Sequence, residues 1–123
     1  MGADKNIAQA HIIVAGDMSA ASLTSRAMRS ALLDDYSFQA VWTGSSPVGT
    51  LDVQVSNDHQ ENGGVVVNAG TWTSIYNSVP AVSGNSGSLF LNISAISAAF
   101  VRAVYTKGSG TGTLDVYFNG RSI

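Results

Sequence analysis

The clearest strand pattern of the chain is Tyr36-Ser37-Phe38-Gln39-Ala40-Val41-Trp42-Thr43. Its even positions carry aromatic or small apolar side chains, whereas three of its four odd positions carry polar ones. Because successive side chains of a β-strand point to opposite faces, this period of two predicts a strand with one apolar side. Trp42 stands on that side, and we expect its indole ring in the core.

The next segment toward the carboxyl end repeats this period. Residues 50–56 place one leucine and two valines on one face and polar side chains on the other. Between the two strands, residues 44–49 read Gly-Ser-Ser-Pro-Val-Gly, which are residue types that turns require. We therefore predict that residues 36–43 and 50–56 form an antiparallel hairpin.

Short strands of the same kind continue to the end of the chain. Residues 100–106 and 113–119 are joined by the glycine-rich segment 107–112, which predicts a second hairpin. Further strand candidates lie at residues 9–14, 65–68, 72–76 and 88–94. Seven or eight short strands separated by Gly, Ser and Asn predict an all-β chain, a single antiparallel β-sandwich of the jelly-roll type. We assign residues 23–123 to this domain and residues 1–22 to an N-terminal arm or first strand.

Residues 17–33 leave two interpretations open. Asp17 could cap a helix whose apolar positions are Met, Ala and Leu. Against this, several Ser and Thr side chains compete for backbone hydrogen bonds, and an all-β surrounding overrides a weak helical preference. We favour strand and loop over a short helix.

One five-residue string occurs twice. Gly-Thr-Leu-Asp-Val stands at residues 49–53 and again at residues 112–116, an offset of 63 residues (49 to 112). Two copies are too few for a solenoid. We favour the interpretation that each copy is the second strand of a hairpin entered from a glycine turn. The alternative is a pseudo-symmetric pair of half-sheets.

The chain contains few charged residues, and this scarcity argues against several classes of function. Six basic and eight acidic residues make up 11 % of 123 residues, where an ordinary domain carries about 25 %. A hydrophobic content of 45 % argues against disorder, and a net charge of -2 with scattered basic residues argues against nucleic-acid binding. No apolar run approaches the roughly 20 residues of a membrane span, the amino terminus lacks a signal-peptide core, and we expect no membrane partner. The absence of cysteine excludes disulfides and thiolate metal sites.

The few charges inside the predicted strands are Arg102, Asp52 and Asp115. We expect the arginine to lay its stem on the sheet and to pair with one of the two aspartates. Large parts of the strand faces must then be neutral and polar. Association with other protein should therefore depend on shape and hydrogen bonds, and moderate salt should change it little.

Residues that could carry out chemistry are few. The chain contains no nucleophile elbow, no phosphate-binding loop with lysine and no cysteine nucleophile. His11 lies in an apolar run and is interpreted as a structural strand residue, and His59 lies in the polar run 57–62, interpreted as a solvated loop whose spacing does not match a calcium loop. We expect no enzyme activity, no catalytic residue, no cofactor and no metal site. A hydrolase built on an unrecognised constellation is the second alternative.

Aromatic residues are the remaining binding candidates. Trp72 follows Ala-Gly-Thr and precedes Thr-Ser-Ile-Tyr, so a half-exposed indole there could stack on a sugar, with Tyr76 beside it. Tyr117 points away from the apolar face of its strand, which suggests exposure or an interface.

Four strings resemble a known family when they are taken in order. They are QAVWTG (39–44), PVGTLDVQVSND (47–58), FVRAVYT (100–106) and SGTGTL (109–114). In this order they resemble a family of small virion proteins of tailed bacteriophages that have a discoidin-like β-sandwich. The resemblance covers about residues 23–123. It implies a structural role in the virion, as a capsid decoration or minor capsid protein or as a tail or fibre component, with no catalytic residues.

The chain departs from this family in one place. A longer insert separates Asp58 from Trp72 and contains Gly-Gly followed by Val65, Val66 and Val67. An exposed valine triplet risks aggregation unless it pairs with something, so we expect these valines, or the N-terminal arm, to contact a neighbouring subunit.

The leading hypothesis from the sequence is a non-enzymatic virion protein that is assembled in the host cytoplasm. It would bind the major capsid protein or other virion proteins as a homo-oligomer, with Tyr117 as a further interface residue. The alternative is a carbohydrate-binding module of a tail or fibre that recognises a host glycan through Trp72 and Tyr76.

Overall fold

The computed structural model describes residues 7–31, 33–75, 81–94 and 97–121. In chain order its strands are β1 (Ile7–Asp17), β2 (Ser22–Thr24), β3 (Met28–Arg29), β4 (Asp35–Ser56), β5 (Gln60–Asn62), β6 (Val65–Asn68), β7 (Thr73–Ser74), β8 (Ala81–Val82), β9 (Ser86–Ser94) and β10 (Phe100–Arg121). The described residues contain no helix, and hence none that could cross a membrane. The predicted all-β class is confirmed, and the described part of residues 17–33 is strand and loop.

Two strands of 22 residues each, β4 and β10, organise the main sheet. They pair antiparallel from Phe100 opposite Ser56 to Arg121 opposite Asp35. Their pairing divides the eight-stranded sheet into two parts. In the first half-sheet, β1 and β9 flank the carboxyl-terminal half of β10 and the amino-terminal half of β4. In the second half-sheet, β2 and β3 flank the other half of β10, while β7 and β8 flank the other half of β4.

The two predicted hairpins are wrong. Residues 44–49 and 107–112 do not reverse the chain but carry β4 and β10 through a bend, so each predicted pair of strands is one long strand. Ser46 and Gly110 have positive φ angles of 49° and 78° at this bend. The ladder also slips between Lys107 and Thr111. Glycine and serine permit a bend as readily as a reversal, and the local composition does not distinguish the two.

The bend brings both half-sheets onto one core. Along β4 the buried positions are even before the bend and odd from Pro47 to Val53 after it, so both halves turn their apolar sides inward. Trp42 is 5 % exposed, which confirms its predicted place in the core. One apolar cluster draws members from both halves, among them Tyr36, Phe38, Trp42, Leu51, Val53, Val101, Tyr105, Leu114, Val116 and Phe118.

The repeated string marks a pseudo-symmetric pair of half-sheets. Each copy begins the second half of a long strand, and a shift of 63 residues (49 to 112) exchanges the two strands in register. Leu51 lies opposite Tyr105 in the second half-sheet, and Leu114 lies opposite Trp42 in the first. The interpretation that the copies are second strands of hairpins is wrong, because neither hairpin exists.

Candidate functional site

The valine triplet projects on a small hairpin outside the main sheet. Strands β5 and β6 form a separate two-stranded sheet within residues 57–72, called here the 57–72 loop. Val65, Val66 and Val67 are 67 %, 54 % and 65 % exposed. The structure therefore places the predicted interface valines in solvent, on the segment that departs from the family pattern.

The base of the 57–72 loop is closed by hydrogen bonds around Asp58. The Thr71 amide donates to Asp58 Oδ1 at 2.7 Å, and the Ser56 hydroxyl donates to the same oxygen at 2.8 Å. These two bonds, that from Thr71 first, lower the pKa of the Asp58 carboxyl. Gly70 adopts a φ of 76°, and a Cβ on it would lie 2.6 Å from the His59 nitrogen. The ends of the loop are thus held together although its tip is exposed.

His59 is buried at this base, so the prediction that it is solvated is wrong. Its side chain is 6 % exposed and packs at ring-centroid distances of 4.8 Å from Phe100 and 5.2 Å from Trp72. Nδ1 lies 3.0 Å from the Ala69 carbonyl oxygen, and Nε2 lies 2.8 Å from Glu61 Oε2. Both ring nitrogens face oxygen acceptors, which favours the doubly protonated imidazolium.

We predict that closure of the 57–72 loop depends on pH through His59. The hydrogen bond to Glu61 raises the pKa of His59 above its ordinary 6.5, the Ala69 carbonyl adds to this, and burial and the Arg102 charge oppose it. Because the pKa of His59 is higher in the folded chain, its stabilisation is fully present below pH 6.5 and is lost as pH rises through the folded value. NMR titration of the His59 ring and amide exchange across the loop measure both effects.

The control for this titration is Glu61→Gln. Removing the carboxylate should bring the pKa of His59 down toward its ordinary value, because the amide carries no charge and the strongest acceptor is lost. A wild-type pKa at or below 6.5 would contradict the assignment of the imidazolium.

Arg102 and Trp72 form the second part of this site. The Arg102 guanidinium lies 4.3 Å from the centroid of the Trp72 ring, and Trp72 Nε1 donates to the Ala69 carbonyl at 2.9 Å. Arg102 Nε and Nη2 both donate to Gln54 Oε1, at 2.9 and 2.8 Å. One face of the half-buried indole is therefore covered by a cation, which reduces the ring area open to a sugar. Tyr76 lies outside the described residues.

The predicted pairing of Arg102 with an aspartate is wrong for a geometric reason. Gln54 stands directly opposite Arg102 in the ladder, whereas Asp52 stands opposite Val104. The Asp52 carboxylate instead accepts a hydrogen bond from the Ser74 hydroxyl at 2.7 Å. Asp115 lies in the first half-sheet, where its Oδ1 is 2.9 Å from His11 Nε2.

His59, Trp72 and Arg102 line a cleft of about 460 Å³ between the 57–72 loop and the second half-sheet. Its polar lining includes His59, Glu61, Trp72, Arg102 and Arg26. In the described ranges, no group of three His, Cys, Asp or Glu side chains could hold a metal ion. Sequence reasoning singled out Trp72 but missed the burial of His59, for which the only signal was its place between apolar strands.

Tyr117 stands apart from the valine triplet, on the outer face of the first half-sheet. It is 41 % exposed and stacks on the His11 ring, with centroids 4.3 Å apart and planes inclined by 17°. Asp115 Oδ1 also accepts the Ala15 amide at 2.9 Å, which holds His11 and its acceptor in place. Tyr117 lines a cleft on the first half-sheet, whereas Val66 lines the cleft beside the 57–72 loop.

No family model matches the chain, and no curated protein matches it. Among solved structures, the SPBc2 prophage-derived protein YomS is similar over 97 % of both chains, with a TM-score of 0.57 and 8 % sequence identity. A chain from the structure of infectious bursal disease virus Gx strain has a TM-score of 0.48 and 8 % identity, covering 95 % of this chain and 32 % of that one. The likeness to YomS shows a shared fold, and the discoidin-like form of the sandwich stays a prediction.

Proposed function

We propose that this chain is a non-enzymatic structural protein of a tailed-bacteriophage virion. In the proposal it is a capsid decoration or minor capsid protein that binds the major capsid protein or other virion proteins as a homo-oligomer. Two observations give the phage context: the ordered sequence strings that resemble small virion proteins, and the fold shared along 97 % of both chains with a prophage-derived protein. A location in the virion follows from the same proposal.

The exposed valine triplet on a closed loop carries the proposal of a protein partner. Three consecutive valines, each more than half exposed, lie on β6 of a two-stranded sheet, and Val66 also lines the cleft between this sheet and the second half-sheet. Such a short, apolar strand is a template for contact with another chain. The hydrogen bonds at Asp58 and His59 close the loop in advance, which reduces the ordering entropy that binding would cost.

The contacts of the two histidine rings support the proposal that the chain has no enzyme activity. Both nitrogens of His59 face acceptors, so the ring has no free lone pair to act as a general base. The Nε2 of His11 lies against the Asp115 carboxylate, and its ring is stacked on Tyr117. Among the hydrogen bonds of the described residues, no hydroxyl is a partner of either histidine ring.

Replacing Val65, Val66 and Val67 together with serine should weaken association about a hundredfold or more. Burial of each valine contributes roughly 1.5 kcal/mol, and every 1.4 kcal/mol is about tenfold in the dissociation constant. Sedimentation velocity of the purified chain measures self-association. Co-sedimentation with particles that lack this chain measures binding to the shell. Raising the salt to a few hundred millimolar should change either result little.

The matched control compares single substitutions at two valines of equal exposure. Val65 is 67 % exposed and Val14 on β1 is 66 % exposed, so Val65→Ser and Val14→Ser remove similar apolar surface. Only the first should weaken association. Equal effects, or none from the triple variant, would refute the proposed interface. A particle reconstruction that places the chain along the tail would refute the capsid assignment.

A further inference from the structure

Four side chains form a row across the outer face of the first half-sheet. His11 on β1 lies opposite Tyr117 on β10, Tyr117 lies opposite Gln39 on β4, and Gln39 lies opposite Phe90 on β9. Residues directly opposite each other in a ladder point to the same face of the sheet. Phe90 is 63 % exposed, although Leu89 and Leu91 beside it turn inward. Phe90 and Tyr117 therefore stand on either side of Gln39, with Tyr117 41 % exposed and one face of its ring against His11.

Phe90 lines two clefts on this face. One, of about 240 Å³, is lined by Gln9, Gln39 and Tyr117, and the other, of about 290 Å³, is lined by Asn92. Asn119 lines both clefts. The four side-chain amides make no hydrogen bond within the described part of the chain. Each amide offers both donors and an acceptor, which is the pattern that hydroxyl groups match.

The charges near these clefts already have partners in the described structure. Asp115 contacts His11, and Arg121 lies 3.5 Å from Asp35 at the margin of the second cleft. No unpaired charge among the described residues lines either cleft. An uncharged ligand rich in hydroxyls would meet the Phe90 ring, the part of the Tyr117 ring that His11 leaves exposed, and the amides.

The pseudo-symmetry relates this face to the face of the second half-sheet on which Trp72 lies. The offset of 63 residues (39 to 102, 54 to 117) places Gln39 and Tyr117 at the positions of Arg102 and Gln54 in the second half-sheet. There the Trp72 ring lies over Arg102. In the first half-sheet it is the His11 ring that stacks on Tyr117, with centroids 4.3 Å apart.

We propose that the outer face of the first half-sheet binds a neutral oligosaccharide, with Phe90 and Tyr117 as stacking platforms and Gln39 between them. Two strand spacings separate the platforms, which gives about 10 Å. That span corresponds to two linked sugar rings, so the ligand is at least a disaccharide. Asn119 and Asn92 then hydrogen-bond to ring hydroxyls. The proposal concerns the purified chain and does not depend on the virion role.

The composition of the face favours a glycan over a protein partner. The core of a protein interface is depleted of polar groups and surrounded by a polar rim. Here amides and hydroxyls lie between and beside the rings, and the other large apolar side chains exposed on the described strands of this half-sheet are Val41 on β4 and Val14 on β1.

The test uses the purified full chain with maltohexaose, cellohexaose, chitohexaose and a linear galactan, by titration calorimetry. We expect at least one to bind, and its monosaccharide to bind far more weakly. Phe90→Ala and Tyr117→Ala should each lose about tenfold in affinity, the size of one aromatic stacking contact. Val41→Ser, on the same face but outside the row, should keep wild-type affinity and serves as the matched control.

Two substitutions at Phe90 separate ring stacking from general hydrophobic contact. Phe90→Tyr keeps a flat ring and should bind as wild type, whereas Phe90→Leu should bind as weakly as the alanine variant. No binding to any neutral glycan, or equal binding by the leucine variant, would overturn the proposal. Loss of self-association in Phe90→Ala without glycan binding would make the face a protein interface and overturn it as well.

Discussion

Gly110→Ala should lower the free energy of unfolding by about 3 kcal/mol or more, which is at the upper end for a single substitution. Gly110 adopts a φ of 78°, and a Cβ on it would lie 2.1 Å from the Ser46 carbonyl oxygen. That contact is with backbone, so no side chain can rotate away, and β4 and β10 must separate where both bend. Chemical denaturation with urea measures the change.

Gly64→Ala is the matched control for the bend. Gly64 has a φ of 83°, almost the same as Gly110, but no heavy atom lies within 4 Å of its ideal Cβ. Gly64→Ala should therefore lower the free energy of unfolding by only about 1 kcal/mol, which is the cost of placing alanine in a left-handed backbone conformation. The difference between the two losses of unfolding free energy measures the contribution of the close approach of β4 and β10 at the bend. Equal losses would mean that the bend does not require this approach.

Phe118→Ala should lower the free energy of unfolding by about 3 to 5 kcal/mol, the range for a buried phenylalanine. Phe118 is 1 % exposed, and its ring centroid lies 5.3 Å from that of Phe38 and 5.9 Å from that of Tyr36. Truncation leaves a cavity between β4 and β10, which cannot collapse because their ladder continues on both sides.

Phe90→Ala is the control for this truncation because it removes the same atoms from a ring that is 63 % exposed. The loss there should stay within about 0.5 kcal/mol. Denaturant midpoints of the two variants, compared at unchanged m-values, measure the contrast. A similar loss in both would show that Phe90 packs against the sheet.

The strands could be predicted from sequence because their signal is local. The period of two in residues 36–43 and 113–119 survives in the structure, where Phe38 and Phe118 are buried and their neighbours Gln39 and Tyr117 are exposed. Burial on one side of a strand acts on every second residue, whatever partner the strand acquires.

The candidate sites were predictable only in part. The exposure of the valine triplet follows from its place in a long polar insert, and the structure agrees. The burial of His59 depends on the rings of Phe100 and Trp72 that pack on it. The pairing of Arg102 with Gln54 depends on the register of β4 and β10, which places the two residues opposite each other. The same holds for the row from His11 to Phe90, whose members are distant in sequence and meet through three ladders.

Local sequence patterns predict an all-β chain, the faces of its strands and a repeated string. That residues 44–49 and 107–112 bend rather than reverse is a property of the folded sheet. Glycine and serine lower the cost of both conformations, so local preference does not choose between them. The choice is made by the ladder between β4 and β10, which satisfies backbone hydrogen bonds along 22 residues of each strand and closes both half-sheets over one core.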